Sequence, residues 1–112
     1  MPNAVAKRLA SIKESSGISS RDVAQLLATT PQTVSRWTTG ESSPQPRYLE
    51  SLLTLEWLVS KLATYYSADE AKLWLFSPHG QLEGRRPADL IAERRTDDVL
   101  RLIDQLDSSS YI

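Results

Sequence analysis

The chain has 112 residues, of which 40% are hydrophobic and 24% charged, a composition that favours a globular protein over a disordered one. It has no cysteine, which excludes disulfides, iron–sulfur clusters and thiol catalysis, and it has neither an apolar leader nor an apolar run of about 18 residues. We therefore expect a cytoplasmic protein that binds no cofactor, no metal and no membrane. The net charge of −1 divides into +2 for residues 1–50 and −3 for the remainder, which favours a front half that meets phosphate.

The first predicted helix covers residues 3–15 and ends at Gly17. Its apolar residues recur at spacings of four and three: Val5, Leu9 and Ile12. Ser19 and Asp22 then form a capping pair that opens a second helix. That helix should be buried on the side that carries Val23, Leu26 and Leu27.

A third helix follows at once, so that residues 20–40 read as two short helices joined by a tight turn. Thr30 and Pro31 mark its start, because the threonine hydroxyl can accept from a free amide and proline is tolerated only in a first turn. Gly40 suits the left-handed position just after its end. Trp37 is expected in the core, since its spacing from Val34 places both on one face.

The exposed positions near the start of this third helix carry short polar side chains and one arginine. A helix that lies in the DNA major groove requires side chains of this kind. We predict DNA contacts from Thr30, Gln32, Thr33, Ser35 and Arg36. A short helical pair with a polar turn also occurs in bundles that bind no DNA, so the pattern alone leaves both interpretations open.

The longest predicted helix begins at Arg47, after a Gly-, Ser- and Pro-rich loop at residues 40–46. One apolar stripe runs along it: Tyr48, Leu52, Leu55, Val59 and Leu62. Further apolar residues lie outside the stripe: Leu49, Leu53, Trp57 and Leu58. The helix should therefore be buried from more than one direction, within a monomer's core or in a dimer interface.

Three shorter helices are predicted in the remainder. A capping box at Ser67 opens one that runs through Phe76, Pro87 begins another, and Thr96 is expected to cap the last. The last helix has an apolar stripe of Val99, Leu102, Ile103 and Leu106, after which residues 107–112 have no periodicity. No strand-like alternation occurs, so the predicted fold is all-α.

The helical pair resembles the Xre and lambda-Cro class of helix-turn-helix repressors, through its Thr-Pro turn and the Thr-Val-Ser-Arg-Trp run before Gly40. The resemblance places Val23, Ala24, Leu27, Val34 and Trp37 in the core. It implies an N-terminal helix-turn-helix bundle at residues 1–46, packed with a C-terminal helical domain at residues 47–112.

The C-terminal part resembles the toxin-binding domain of the Xre/MbcA/ParS antitoxins. The positions that match are Trp74, Leu75, Pro78, Leu82, Gly84 and Pro87, whereas His79 stands where the family usually has asparagine. The lone histidine is interpreted as a turn residue. Arg85 and Arg86 either contact an acidic partner surface or face water.

This resemblance implies an antitoxin that silences a RES-domain toxin, an enzyme that degrades NAD. It also implies that the antitoxin represses its own operator DNA, as a homodimer or in a larger complex with the toxin. The final residues of such an antitoxin reach into the toxin's active-site cleft. Here that segment is 106–112, with Leu106, Ser108, Ser109, Ser110, Tyr111 and Ile112 as contacts. A frayed terminus is the ordinary alternative.

Two other functions remain open at the level of sequence. One is a stand-alone repressor of the Cro type, whose C-terminal helices only dimerise. The other is an enzyme, which the sequence disfavours because it has no cysteine nucleophile, no glycine-rich phosphate loop and no evident partner for its one histidine.

Overall fold

The computed structural model describes residues 3–109, with the side chain of Ser109 left out. These residues form seven α-helices and a 3-10 turn at Gly80–Leu82, joined by short loops, and the all-α prediction is confirmed. The helices are α1 (Ala4–Ser16), α2 (Ser20–Leu26), α3 (Pro31–Thr39), α4 (Pro46–Leu62), α5 (Ala68–Phe76), α6 (Pro87–Ala92) and α7 (Thr96–Ser109).

The predicted caps of three helices are confirmed. Ser19 and Ser67 each open a full capping box, in which the serine side chain accepts from the third amide and the acidic side chain at that position accepts from the serine amide. Thr30 caps α3 by accepting from the amide of Thr33. The expected cap at Thr96 is wrong, because α7 already begins at that residue.

Helix α4 lies at the centre of the fold and packs against α1 and α7. The predicted stripe is buried along its length apart from Tyr48, which is half-buried, and Leu58 joins it. Leu53 and Trp57 face outward, with 40% and 47% of their surface exposed. Leu58, which lies outside the predicted stripe, is therefore buried within this chain as expected, whereas Leu53 and Trp57 are not.

The N-terminal and C-terminal halves share one core. Helix α2 packs against both α3 and α6, and α1 packs against both α4 and α5. An ion pair also crosses between the halves, since the Nζ of Lys72 on α5 lies 3.4 Å from the carboxylate of Asp22, the same group that caps α2. The result is an elongated molecule of 47 × 24 × 21 Å.

Within residues 3–109, no helix has the length and apolar character needed to cross a bilayer.

Candidate functional site

Helix α3 presents the side chains predicted to meet DNA. Its start is fixed by Thr30, whose hydroxyl accepts from the Thr33 amide at 3.2 Å and lies 2.8 Å from the Thr33 hydroxyl. Pro31 occupies the first turn, where its missing N–H costs nothing. Thr33 is thus already engaged by the cap, and any contact it makes with DNA would have to share that hydroxyl.

The opposite face of α3 is buried. Val34 is fully buried and Trp37 is 3% exposed, with its ring 5.7 Å from that of Tyr48 on α4. The core assignment of Trp37 is therefore confirmed. Gln32, Ser35 and Arg36 are exposed, so the polar residues form a continuous outward face as the helical spacing predicts.

Arg36 is the only cation on α3, and its Nε lies 3.7 Å from the carboxylate of Glu41. Both side chains are more than half exposed, so water screens the pair and it holds the guanidinium only weakly. A phosphate or a guanine edge can therefore displace Glu41 at small cost. The arginine is available to a DNA partner.

The angle between α2 and α3 is set by a strained turn. Ala28 has φ of 58°, in the left-handed region that costs an L-residue about 1 kcal/mol or more. The following amide, that of Thr29, donates to the carbonyl of Ala24 at 2.8 Å and closes the end of α2. This hydrogen bond fixes the turn that carries the chain into α3.

In the C-terminal half, residues 74–87 fold into a compact turn. The Nε2 of His79 lies 2.9 Å from the carbonyl oxygen of Trp74, and the amide of His79 donates to the carbonyl of Arg85 at 3.1 Å. His79 has an extended backbone, with φ of −125°, whereas Glu83 and Gly84 adopt the left-handed conformation. His79 therefore closes the end of α5 through its ring rather than supplying a left-handed turn.

The motif residues of this turn differ in burial. Leu82 and Pro87 are buried and anchor the turn, Trp74 is half-buried, and Pro78 and Gly84 are exposed. The matching pattern therefore describes mostly the shape of the turn. Only the exposed members of the pattern offer surface to a partner.

Arg85 and Arg86 do not simply face water, because a carboxylate of the same chain engages each of them. Arg85 pairs with Glu93, and Arg86 binds Asp89 through two nitrogens, at 2.7 and 3.1 Å. The hydrogen bond from Arg86 lowers the pKa of Asp89. Both arginines are half-buried and engaged within the chain, so a toxin contact from either one would have to form beside an existing ion pair.

The segment predicted to enter the toxin starts as a helix. Leu106 is half-buried against the core, Ser108 is exposed, and α7 continues through the backbone of Ser109. The lack of periodicity after Leu106 had indicated irregular structure there, so the helix is three residues longer than predicted. Ser110, Tyr111 and Ile112 lie outside the described residues.

Sequence reasoning missed what holds the end of α7. The carboxylate of Asp107 lies 2.9 Å from the Nζ of Lys61 and accepts a hydrogen bond from the Tyr65 hydroxyl. The hydrogen bond from Tyr65, followed by that from Lys61, lowers the pKa of Asp107. A usable signal existed in the sequence, since α7 ends with acidic residues and no cation of its own.

A cleft of about 280 Å³ lies between the 3-10 turn and α7. Leu82, Leu90 and Leu102 contribute apolar surface to it. Arg85, Arg95 and Arg101 also line it, but each of these arginines pairs with a carboxylate on the chain itself. Every arginine of the cleft is therefore already engaged within the chain, with Arg95 and Arg101 sharing the carboxylate of Asp98.

Comparison with known proteins gives two matching families. Residues 4–55 match a helix-turn-helix domain, and residues 62–108 match the antitoxin Xre/MbcA/ParS C-terminal toxin-binding domain. The chain is 32% identical over 110 residues to the mycobacterial cidal antitoxin MbcA of Mycobacterium tuberculosis and of Mycobacterium bovis, covering 98% of this chain and 97% of that protein. A second, probable cidal antitoxin of Mycobacterium tuberculosis is 30% identical over 86% of this chain and 82% of its own length.

The fold also matches a solved structure. A chain in the crystal structure of the Mycobacterium tuberculosis MbcT–MbcA toxin–antitoxin complex superposes with a TM-score of 0.82 at 32% identity, covering 98% of this chain and 99% of the other. The similarity therefore extends over both halves and is not confined to the helix-turn-helix.

Proposed function

Because this chain belongs to the Xre/MbcA/ParS family of antitoxins, we propose that it binds and neutralises a toxin of the RES class, which degrades NAD in the cytoplasm. The observation that carries the proposal is the match in sequence and fold, over almost the full chain, to MbcA, which was crystallised in a complex with a toxin. The match of residues 62–108 to the family's C-terminal toxin-binding domain supports a toxin contact in the second half.

We place the inhibitory contact at the end of α7. Helix α7 runs through residues 106–109 of the predicted segment, with Leu106 packed on the core and Ser108 exposed. The part of this segment from Ser108 onwards would then enter the toxin's active-site cleft and block the binding of NAD. A segment tethered to a packed helix loses less entropy on binding than a free tail does, which supports inhibition by a short insertion.

Operator binding is the second half of the proposal. The exposed face of α3 offers Gln32, Ser35 and Arg36, and the matching helix-turn-helix family spans residues 4–55. A charge of +2 on residues 1–50 gives a single copy a weak field. We therefore propose that a dimer, or a complex with the toxin, presents two copies of α3 to half-sites about 34 Å apart.

The division into a DNA-binding part at residues 1–46 and a toxin-binding part at residues 47–112 is a division of surfaces. The two parts share one core, because α1 of the first part packs on both α4 and α5 of the second. We expect each surface to be altered by point substitution without loss of the other function.

The test is NAD consumption by a purified RES-type toxin, with full-length antitoxin and with chains ending at Ser109 and at Leu106. The first truncation removes three residues and leaves α7 whole, whereas the second also removes its last residues. Full-length inhibition that is lost in both truncations supports the inserted segment. Inhibition that survives both moves the contact to the helices, and absence of inhibition by the full chain favours a stand-alone repressor.

A further inference from the structure

The end of α7 is held from outside the helix. Lys61 lies in the last turn of α4 and Tyr65 three residues beyond it, and both bind the carboxylate of Asp107. The Lys61 and Asp107 side chains are each about one third exposed, so the pair lies at the surface but is partly shielded. We call these three residues the α7 clamp.

The clamp opposes an unfavourable feature of α7. The carboxyl end of a helix carries partial negative charge, which acidic side chains destabilise and cations stabilise. The last turn of α7 has no basic residue, and it is preceded by Asp104. Lys61 supplies from α4 the cation that the last turn of α7 lacks.

Among the residues that the structure describes, little of this part of the helix is buried. Of residues 104–108, Leu106 is half-buried against the core, Asp107 is held by the clamp, and the other three are exposed. A helix end with one apolar anchor frays readily unless a second contact restrains it. The Asp107 contact lies next to Leu106 and provides that restraint.

We propose that the α7 clamp holds the end of α7, residues 106–109, in helical form, so that this part of the toxin-binding segment is already ordered when the two proteins meet. This inference rests on the proposed function, in which that segment blocks the toxin. Lys61 and Tyr65 act as positioning residues and need not touch the toxin. Without the clamp, residues 106–109 must be ordered at the moment of binding, which costs affinity.

The experiment combines a charge reversal with its repair. Lys61→Glu breaks the clamp, and the double variant Lys61→Glu, Asp107→Lys restores an ion pair with opposite polarity. Arg8→Glu is the matched control, because it makes the same change in charge and breaks a pair with Glu56 that joins α1 to α4 rather than to α7. Two quantities are measured for each variant: the Kd for the RES-type toxin and the hydrogen-exchange rates of the amides of residues 104–109 in the free protein.

We expect Lys61→Glu to raise the Kd roughly five- to tenfold, the size of effect that ordering one or two side chains produces, and to speed exchange at the end of α7. The double variant should recover most of both losses, and Arg8→Glu should leave both quantities unchanged.

Three outcomes overturn the inference. A weaker Kd with unchanged exchange would assign Lys61 to direct toxin contact, and faster exchange with an unchanged Kd would show that this order does not matter for binding. A Kd that the double variant fails to recover, while exchange recovers, would also point to direct contact. The chain ending at Ser109 separates this inference from the proposed function: if it loses affinity and Lys61→Glu does not, only the clamp is wrong, whereas a full-length chain that binds no toxin removes both.

Discussion

The Nε2 atom of His79 lies 2.9 Å from the carbonyl oxygen of Trp74, and the two rings are 4.8 Å apart. A carbonyl oxygen only accepts, so the imidazole donates from Nε2 and closes one of the free carbonyls at the end of α5. The imidazole of His79 thus serves both as a hydrogen-bond donor and as a ring packed on Trp74.

Replacing His79 by phenylalanine should separate these two roles. The variant His79→Phe keeps a ring against Trp74 but removes the donor, so we expect a loss of about 1 kcal/mol in the free energy of unfolding. Thermal unfolding should show it as a fall of about 4 to 8 °C in Tm. Gln81→Ala, at an exposed neighbour, is the control, and a His79→Phe protein as stable as the parent would contradict the role of the hydrogen bond.

The turn before α3 should be relieved by glycine. Ala28 is exposed with φ of 58°, so Ala28→Gly removes backbone strain without removing a packed side chain. We expect a gain of up to about 1 kcal/mol in unfolding free energy, measured in urea. Ala10→Gly in the exposed interior of α1 is the matched control and should cost about 1 kcal/mol. A loss of stability in both variants would show that Ala28 is not strained.

The three tryptophans should differ in their contribution to stability according to their burial. Trp37 is 3% exposed, and Trp37→Ala should cost about 3 to 5 kcal/mol. Trp57 is 47% exposed, so Trp57→Ala should cost less than about 1 kcal/mol, and half-buried Trp74 should fall between them. Urea unfolding of the three variants at low protein concentration gives the order directly. A large cost at Trp57 would indicate that its face is covered in solution.

Arg36→Ala should weaken operator binding by about 1 to 3 kcal/mol if the guanidinium reads a base edge, because no other residue of α3 is charged. Inhibition of the toxin should not change. Glu41→Gln, which removes the weak competitor of Arg36, should leave binding equal or tighter. Fluorescence anisotropy with the operator at fixed salt measures both, and equal affinity of Arg36→Ala and the parent would exclude α3 as the reading helix.

Acid should weaken the C-terminal half. Hydrogen bonds from Arg86, Arg85, Arg101 and Tyr65 lower the pKa values of Asp89, Glu93, Asp98 and Asp107, respectively. A carboxylate whose pKa is lowered on folding stabilises the fold at pH values above its ordinary pKa. This contribution is lost as the pH falls through the lowered pKa, here below about pH 4. The urea midpoint should therefore fall in that range, and less steeply for Asp98→Asn. Identical pH curves for Asp98→Asn and the parent would contradict this.

Local signals predicted most of the fold. The caps at Ser19, Thr30 and Ser67 depend on residues three positions apart, which a sequence displays directly. Periodicity likewise placed Val34 and Trp37 on the buried face of α3. For the same reason the exposed polar face of α3 followed from spacing alone.

Long-range contacts could not be predicted in this way. The carboxylate of Asp107 meets Tyr65, 42 positions earlier, and nothing in the local sequence of either residue indicates the other. Leu53 and Trp57 have the apolar character of core residues, yet no other helix of the described chain covers them, because exposure depends on how the helices assemble. The half-burial of Arg85 and Arg86 likewise depends on how the helices assemble.

The capping carboxylate of α2 also binds Lys72 of α5, and α2 packs between α3 and α6, so no single cut separates a complete N-terminal core from the rest. We expect the chain to unfold in one cooperative transition. A protease that unravels it from either end would then abolish both surfaces in the same event. Removal of this protein would release a bound toxin and vacate a bound operator together, without a signal passing between the two sites.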